Sequence, residues 1–151
     1  MQDLEWSVHD FAALSVDLLH AILKLRVDVF VVEQECPYPE VDGRDPDALH
    51  LVARQADGTL VAYARILPPE ADGIPHIGRV VLPKEQRGTG LGKRLMQETF
   101  RVLRERYGSA RSAIAAQTYL HQFYTDLGYV RTGADYLWDG IPHVDMVRNE
   151  D

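Results

Sequence analysis

Arg87-Gly88-Thr89-Gly90-Leu91-Gly92-Lys93 lies between an apolar, strand-like run from Ile77 to Leu82 and a stretch where Leu91, Leu95, Phe100, Leu103 and Tyr107 recur at roughly helical spacing. A strand, a glycine-rich turn and a helix start, in that order, make an anion site. The first amides of a helix have no partner within it, the helix dipole adds partial positive charge, and missing side chains let a phosphate come close. Arg87 and Lys93 add full charges, so the loop suits a diphosphate. A turn that binds nothing is the plain alternative, and it leaves three glycines in five residues between two cations without a reason. Two phosphate-binding patterns fail here. A P-loop needs a hydroxyl after its lysine, where this chain has Arg94, and a glycine five residues before Gly92, where it has Arg87. A dinucleotide fingerprint needs its third glycine one residue later and an acid closing the next strand, which here ends Ala116-Gln117.

The arrangement Arg-x-x-Gly-x-Gly (Arg87, Gly90, Gly92) resembles the loop with which the Gcn5-related N-acetyltransferase (GNAT) superfamily cradles the diphosphate of coenzyme A. A second stretch, Gln117-Thr118-Tyr119-Leu120-His121-Gln122-Phe123-Tyr124-Thr125-Asp126-Leu127-Gly128-Tyr129, is similar to that family's Asn-x-x-Ala-x-x-Phe-Tyr-x-x-Leu-Gly-Phe segment, with Gln117 for the usual Asn and Leu120 for the usual Ala. Two further segments resemble the ElaA-like branch of the superfamily. One is Arg26-Val27-Asp28-Val29-Phe30-Val31-Val32-Glu33-Gln34-Glu35-Cys36-Pro37-Tyr38, followed by Asp42, Asp45 and His50; the other is Asp139-Gly140-Ile141-Pro142-His143-Val144. The resemblance runs from about Leu4 to Arg148.

That resemblance implies an α/β (α+β) fold: a mixed, mostly antiparallel central sheet, two parallel central strands that splay apart, and helices on both faces. It implies acetyl transfer from acetyl-CoA to a primary amine, on a small molecule or a peptide. The expected cofactor contacts are the backbone of Val80, Val81 and Leu82, the loop Arg87, Gly88, Thr89, Gly90, Leu91, Gly92 and Lys93, and Gln117 and Tyr124. Tyr124 would return a proton to the departing thiolate; a core aromatic beside Phe123 and Leu127 is its plain alternative. A backbone N–H, Val81 first, would polarise the thioester carbonyl.

The base is harder to place, because the two splayed strands carry no carboxylate. Glu33 is the first candidate and His143 the second, since an imidazole titrates near neutrality. A solvated carboxylate and a structurally hydrogen-bonded histidine are their ordinary readings. The segment from Arg26 to Tyr38, with Arg26, Phe30, Glu33 and Tyr38, is expected to line the acceptor side together with His143 and to leave the cofactor side untouched. Arg65 and Arg79 could hold an acceptor carboxylate or pair with Asp and Glu. A domain that binds acyl-CoA as a sensor or partner module, without catalysis, is the competing function.

Length and composition exclude more than they assign. A chain of 151 residues makes one domain, residues 1–151, with room for a core, and 46% hydrophobic with 26% charged residues fits an ordinary globule. A net charge of −7 argues against a nucleic-acid partner. Cys36 is alone, so no internal disulfide forms, and with no signal-like start or membrane-length apolar run the expected setting is the cytoplasm, away from membranes. The histidines lack zinc spacing, and Asp42, Asp45 and Asp47 fail as a calcium loop because Arg44 holds the third position and no Glu the twelfth; no metal is expected. In this superfamily a homodimer through an edge strand is compatible with the fold.

The remaining elements follow from pattern. Glu5 to Val8 reads as a strand, and Ser15 as the cap of a helix buried along Leu18, Leu19, Ile22, Leu25 and Val29. Glu35 to Pro46 reads as an ordered loop. Leu49 to Arg54 and Leu60 to Leu67 form a hairpin through Asp57-Gly58. Ser112 to Gln117, Tyr129 to Thr132 and Val144 to Arg148 read as strands, Leu120 to Leu127 as a short helix, and Tyr136 to Trp138 stays ambiguous.

Overall fold

The computed structural model describes residues 3–149. Strand β1 (Glu5–Asp10) is followed by helix α1 (Val16–Arg26), whose cap is Ser15; its hydroxyl accepts the Leu18 N–H at 3.1 Å. Leu18, Ile22 and Val29 are buried at helical spacing. The helix does not stop there. Val27–Glu33 continue it as a wider, π-helical turn, in which the Gln34 N–H reaches the Val29 carbonyl and the Cys36 N–H that of Val31.

β2 (Leu49–Arg54) and β3 (Leu60–Leu67) form the hairpin, with Gly58 at φ +90° in a turn that only glycine adopts without strain. β4 (His76–Val81) leads to the glycine loop and helix α2 (Leu91–Tyr107). β5 (Ser112–Gln117), α3 (His121–Asp126), β6 (Val130–Arg131), β7 (Tyr136–Trp138) and β8 (Ile141–Arg148) complete the chain. Bounds agree with the sequence pattern to within three residues, and the ambiguous Tyr136–Trp138 is a strand because β8 starts early enough, at Ile141, to pair with it.

The sheet runs β1-β2-β3-β4-β5-β8-β6, with β7 also on β8; among the described residues only the β4–β5 contact is parallel. One face carries Leu51, Ala62, Ala64 and Ile66 against Leu95, Met96, Phe100 and Leu103 of α2 and Tyr124 of α3. The opposite face carries Val52, Tyr63 and Val81 against Leu18, Ile22 and Val29. Helices thus cover both faces, as the period-two alternation of β2 and β3 requires.

The centre of the sheet is where it comes apart. β4 and β5 pair only at His76↔Ala113 and Ile77↔Ile114. Beyond that point β4 bulges, setting Gly78 to Val81 against only Arg65 to Tyr63, and Arg79 takes a left-handed backbone with φ +52°. A non-glycine residue held so costs about 1–3 kcal/mol. The Arg79 side chain compensates: its Nε donates to Glu40 Oε2 at 2.6 Å, and its Nη2 to the Glu40 carbonyl at 3.1 Å and to Asp42 at 3.3 Å. Charge-assisted hydrogen bonds of this kind contribute about 1.5–3 kcal/mol each.

Those acceptors belong to a network that pins the loop after the π-turn to the sheet. Arg26, wholly buried, donates to Glu40 Oε2 at 2.7 Å and Asp45 Oδ1 at 2.8 Å. Arg65 grips Asp42 with both nitrogens at 2.9 Å and reaches Asp45 at 3.1 Å. Three arginines therefore meet three carboxylates. His50 Nε2–H donates to the Asp45 carbonyl at 2.9 Å, and burial disfavours its protonated form, so the neutral ring accepts the Tyr63 hydroxyl at Nδ1, 2.6 Å away.

This network sets the acid response. Burial works to raise the Asp42 and Asp45 carboxyls, but hydrogen bonds from Arg65 and Arg26 outweigh it and hold both below the usual carboxylate range. Folding therefore makes them weaker proton acceptors, so their contribution is complete above about pH 4 and drains as the pH falls toward their folded values. Burial also lowers His50, which resists a proton that the unfolded chain accepts below about pH 6.5. Urea unfolding at a series of pH values should give a shallow loss of stability below about pH 6.5 and a steep one below about pH 4. A level profile from pH 7 to 3 would contradict the network.

Candidate active site

The cleft between Gly78–Val81 of β4 and Ala115–Gln117 of β5 opens toward the glycine loop. Gly88 and Gly90 both sit at positive φ, +76° and +86°, and Gly90 is the residue before the first turn of α2. The first α2 bond runs from the Arg94 N–H to the Gly90 carbonyl, leaving the amides of Leu91, Gly92 and Lys93 without partners inside the helix. No acidic residue sits in that turn to compete for an anion. Thr89 turns its hydroxyl inward to the Gln86 carbonyl at 2.7 Å, while Lys93 is exposed.

Three elements meet at this mouth. A β-carbon on Gly92 would lie 3.5 Å from Leu82 and 3.6 Å from Phe123, so the end of β4, the start of α2 and the helix carrying Tyr124 touch at one point. Tyr124 is buried edge-on between Phe123 and Tyr129, at ring distances of 5.0 and 5.8 Å. Burial pushes its phenol well above the ordinary value, and its hydroxyl has no hydrogen-bond partner among the described residues. Tyr129, by contrast, exchanges a 2.7 Å hydrogen bond with Ser112. A structural role for the Tyr124 hydroxyl thus has no partner to support it.

The π-turn reaches across the same cleft. Glu33 binds the Arg87 guanidinium with both carboxylate oxygens, one of them 3.0 Å from Nη2, and Arg87 also donates to the Leu82 carbonyl at 3.1 Å. Gln34 Oε1 accepts from Gln117 Nε2 at 3.2 Å on the other bank, and the Cys36 thiol reaches the Asp139 carbonyl at 3.5 Å. Across β5, Gln117 is in register with His143 of β8. His143 Nδ1–H donates to the Ile141 carbonyl at 2.7 Å, its ring 6.0 Å from Tyr136 and 5.4 Å from Trp138. In the neutral form this leaves Nε2 as the proton acceptor.

Several sequence expectations change here. Arg26 does not line an acceptor surface; it is interior, between Glu40 and Asp45. The Tyr38 hydroxyl is committed to Glu40 and its ring lies under Arg79, 5.6 Å from the guanidinium carbon. Phe30 packs on the α1 side of the core. Glu33 does not leave the cofactor side alone: it holds the loop's own arginine, and that hydrogen bond lowers its carboxyl below the ordinary value, which makes it a poor base. For Arg65 and Arg79, of the two readings left open, the pairing with Asp and Glu is the one the structure shows. The sequence reading missed Glu40 and Gln34, whose roles depend on partners 14 to 83 positions away.

Residues 23–149 match the acetyltransferase (GNAT) domain family. The chain belongs to the GNAT family, in its ElaA-like branch. A UPF0039 protein of Schizosaccharomyces pombe is 40% identical over 97% of both chains, and ElaA of Escherichia coli is 40% identical over 96% of both. Among solved structures, an acyl-CoA N-acyltransferase from Pseudomonas aeruginosa is 42% identical with a TM-score of 0.91, covering 97% of this chain and 99% of its own. Escherichia coli ElaA superposes with a TM-score of 0.89 at 38% identity, over 97% of this chain and all of its own (100%). Among the described residues no cluster of His, Cys, Asp and Glu is arranged for a metal ion, and no helix is long and apolar enough to cross a membrane.

If Glu33 and a bound anion compete for Arg87, Glu33→Gln should strengthen anion binding at the loop. A half-exposed pair of this kind contributes about 0.2–1 kcal/mol, so inorganic pyrophosphate followed through the amide resonances of residues 88–93 should bind about 1.5- to 5-fold more tightly. Equal or weaker binding in the variant would show that Glu33 does not restrain the arginine.

Proposed function

We propose that the protein is an N-acetyltransferase that moves the acetyl group of acetyl-CoA directly to a primary amine. The observation that carries this reading is the meeting of Leu82, Gly92 and Phe123 at one point, with the unpartnered hydroxyl of Tyr124 on the next residue. A diphosphate would lie on the amides of Gly88 to Lys93, with Lys93 adding charge. Val80, Val81 and Leu82 line the cleft on the β4 side and Gln117 on the β5 side, where the thioester arm of the substrate would pass. A backbone N–H at Val81 is the donor proposed for the thioester carbonyl.

Each remaining proton step has a residue suited to it. Tyr124 stays protonated through the neutral range, because burial raises its phenol, and can give its proton to the departing thiolate. The attacking amine must be neutral, whereas a free alkylamine near pH 7 is protonated. With Glu33 held by Arg87, the acceptor of that proton is assigned to His143 Nε2, through water. His143 is anchored through Nδ1 and lies beside Gln117 at the cleft. A binding module without catalysis is the alternative, and it gives no reason for a phenol here whose hydroxyl has no partner in the protein. Thiol release from acetyl-CoA across a panel of primary amines separates the two: release above the amine-free rate supports transfer, and none with any amine removes it.

Two substitutions test the assignment in detail. Gly90→Asp adds a side chain at positive φ and a negative charge at the helix start; calorimetry should show coenzyme A affinity falling by about tenfold or more. Unchanged affinity would remove the loop from the site. Tyr124→Phe keeps the ring and deletes the proton. General acids contribute about 10²–10⁴-fold, and a thiolate leaves fairly well unaided, so kcat should fall by about 10²-fold. The melting temperature should barely move, because no hydrogen bond is lost. A destabilised but fully active variant would defeat the catalytic role.

A further inference from the structure

We propose that Glu40 is a positioning residue for acyl transfer: by clamping the Arg79 side chain it holds the β4 bulge that directs the Val80–Val81 backbone into the cleft. The inference rests on the acetyltransferase reading above. Glu40 lies far from the loop and from Tyr124 in sequence, yet it is 4% exposed and accepts five hydrogen bonds from three residues. Oε2 takes Arg26 Nε at 2.7 Å and Arg79 Nε at 2.6 Å; its carbonyl takes Nη2 of each at 3.1 Å; Oε1 takes the Tyr38 hydroxyl.

The backbone shows what this clamp is for. Left-handed conformations favour glycine, and β4 has a glycine at the bulge, Gly78; yet the residue at φ +52° is its neighbour Arg79. The side chain, not backbone preference, therefore selects the conformation. Its guanidinium is held on one side by Glu40 and Asp42 and on the other by the Tyr38 ring at 5.6 Å. The register shows the result. Arg65 opposes Gly78 and Tyr63 opposes Val81, so one surplus residue is absorbed just where β4 parts from β5. An extended residue 79 would rotate the following amides, and a 1 Å error in a donor's placement can cost up to about 10²-fold in rate. Glu40 would then act on the reaction through Arg79 without touching a reactant.

Four variants test this: Glu40→Gln, Arg79→Ala, Arg79→Gly and the double variant Glu40→Gln with Arg79→Gly. Ala and Gly both remove the guanidinium, but only glycine adopts the left-handed backbone without a clamp. Glu40→Gln and Arg79→Ala should each lower kcat for acetyl-CoA thiol release by about 10- to 100-fold, with KM for acetyl-CoA within about twofold. Arg79→Gly should recover most of the loss seen with Ala, and the double variant should match it. A purely structural role for Glu40 predicts no such rescue, and an acceptor-binding role for Arg79 predicts that Ala and Gly fail alike; either pattern overturns the proposal. The Cα chemical shift of residue 79 provides a readout that needs no turnover, being left-handed in the wild type and both Gly variants and extended in Glu40→Gln and Arg79→Ala. If the wild type releases no thiol, the acetyltransferase reading falls, while a left-handed shift persisting in Glu40→Gln would by itself refute the clamp.

Discussion

Two guanidinium groups, from a helix and from a strand, converge on one buried carboxylate, and the architecture of the cleft hangs on that convergence. Arg26 ends α1, Arg79 occupies the bulge of β4, and Glu40 lies in the loop between them in sequence. Taking these charges out of water is expensive, and a well-packed apolar cluster would often be as stable. An apolar cluster would not fix direction, however. Hydrogen bonds from forked donors to a carboxylate specify angle as well as distance. Asp42 and Asp45, shared with Arg65, extend the constraint to β3 and close a balanced set of three cations and three anions. The loop from 36 to 48 has few buried apolar side chains of its own, so this polar set is what seats it on the sheet.

Much of the fold is legible in the sequence because it rests on local signals. The Ser15 cap, the Asp57-Gly58 hairpin, the apolar stripe of α2 and its stop at Gly108 are written within a few residues of where they act. The glycine loop is legible for the same reason: the amides it frees belong to the adjacent helix. What escapes is non-local. Nothing near Arg26 shows that its partners are 14 and 19 residues on, so a conspicuous arginine reads as a binding residue when it is a core strut. Glu33 is misread because the π-turn changes the pitch just before it and carries it to Arg87. Tyr124 could be named from its motif, but only the packing shows that its hydroxyl is unpartnered.

The site brings opposed demands together. The loop carries Arg87 and Lys93, yet its arginine is already satisfied by Glu33; the cleft parts β4 from β5, yet Gln34 and Gln117 bridge it. Both contacts come from one segment, the end of the π-turn, which is also continuous with the Glu40 loop. Rearrangement at residues 33 and 34 is therefore bounded on one side by α1 and on the other by the ion network.

The brief β4–β5 ladder has a further consequence. Every strand before the gap comes from residues 5–81 and every strand after it from residues 112–148, with α2 as the connection. The sheet therefore divides at α2 into two leaves, each continuous in sequence, stitched by two residue pairs, the packing of α2 and the contacts of Gln34 and Cys36 with the far leaf. A molecule lodged in the gap touches both leaves at once. Its binding energy and the cohesion of the two halves then become a single linked quantity: a guest at a hundred times its dissociation constant adds about 2.7 kcal/mol to the stability of the whole. The split thus makes whatever lodges in it a temporary structural element of the fold.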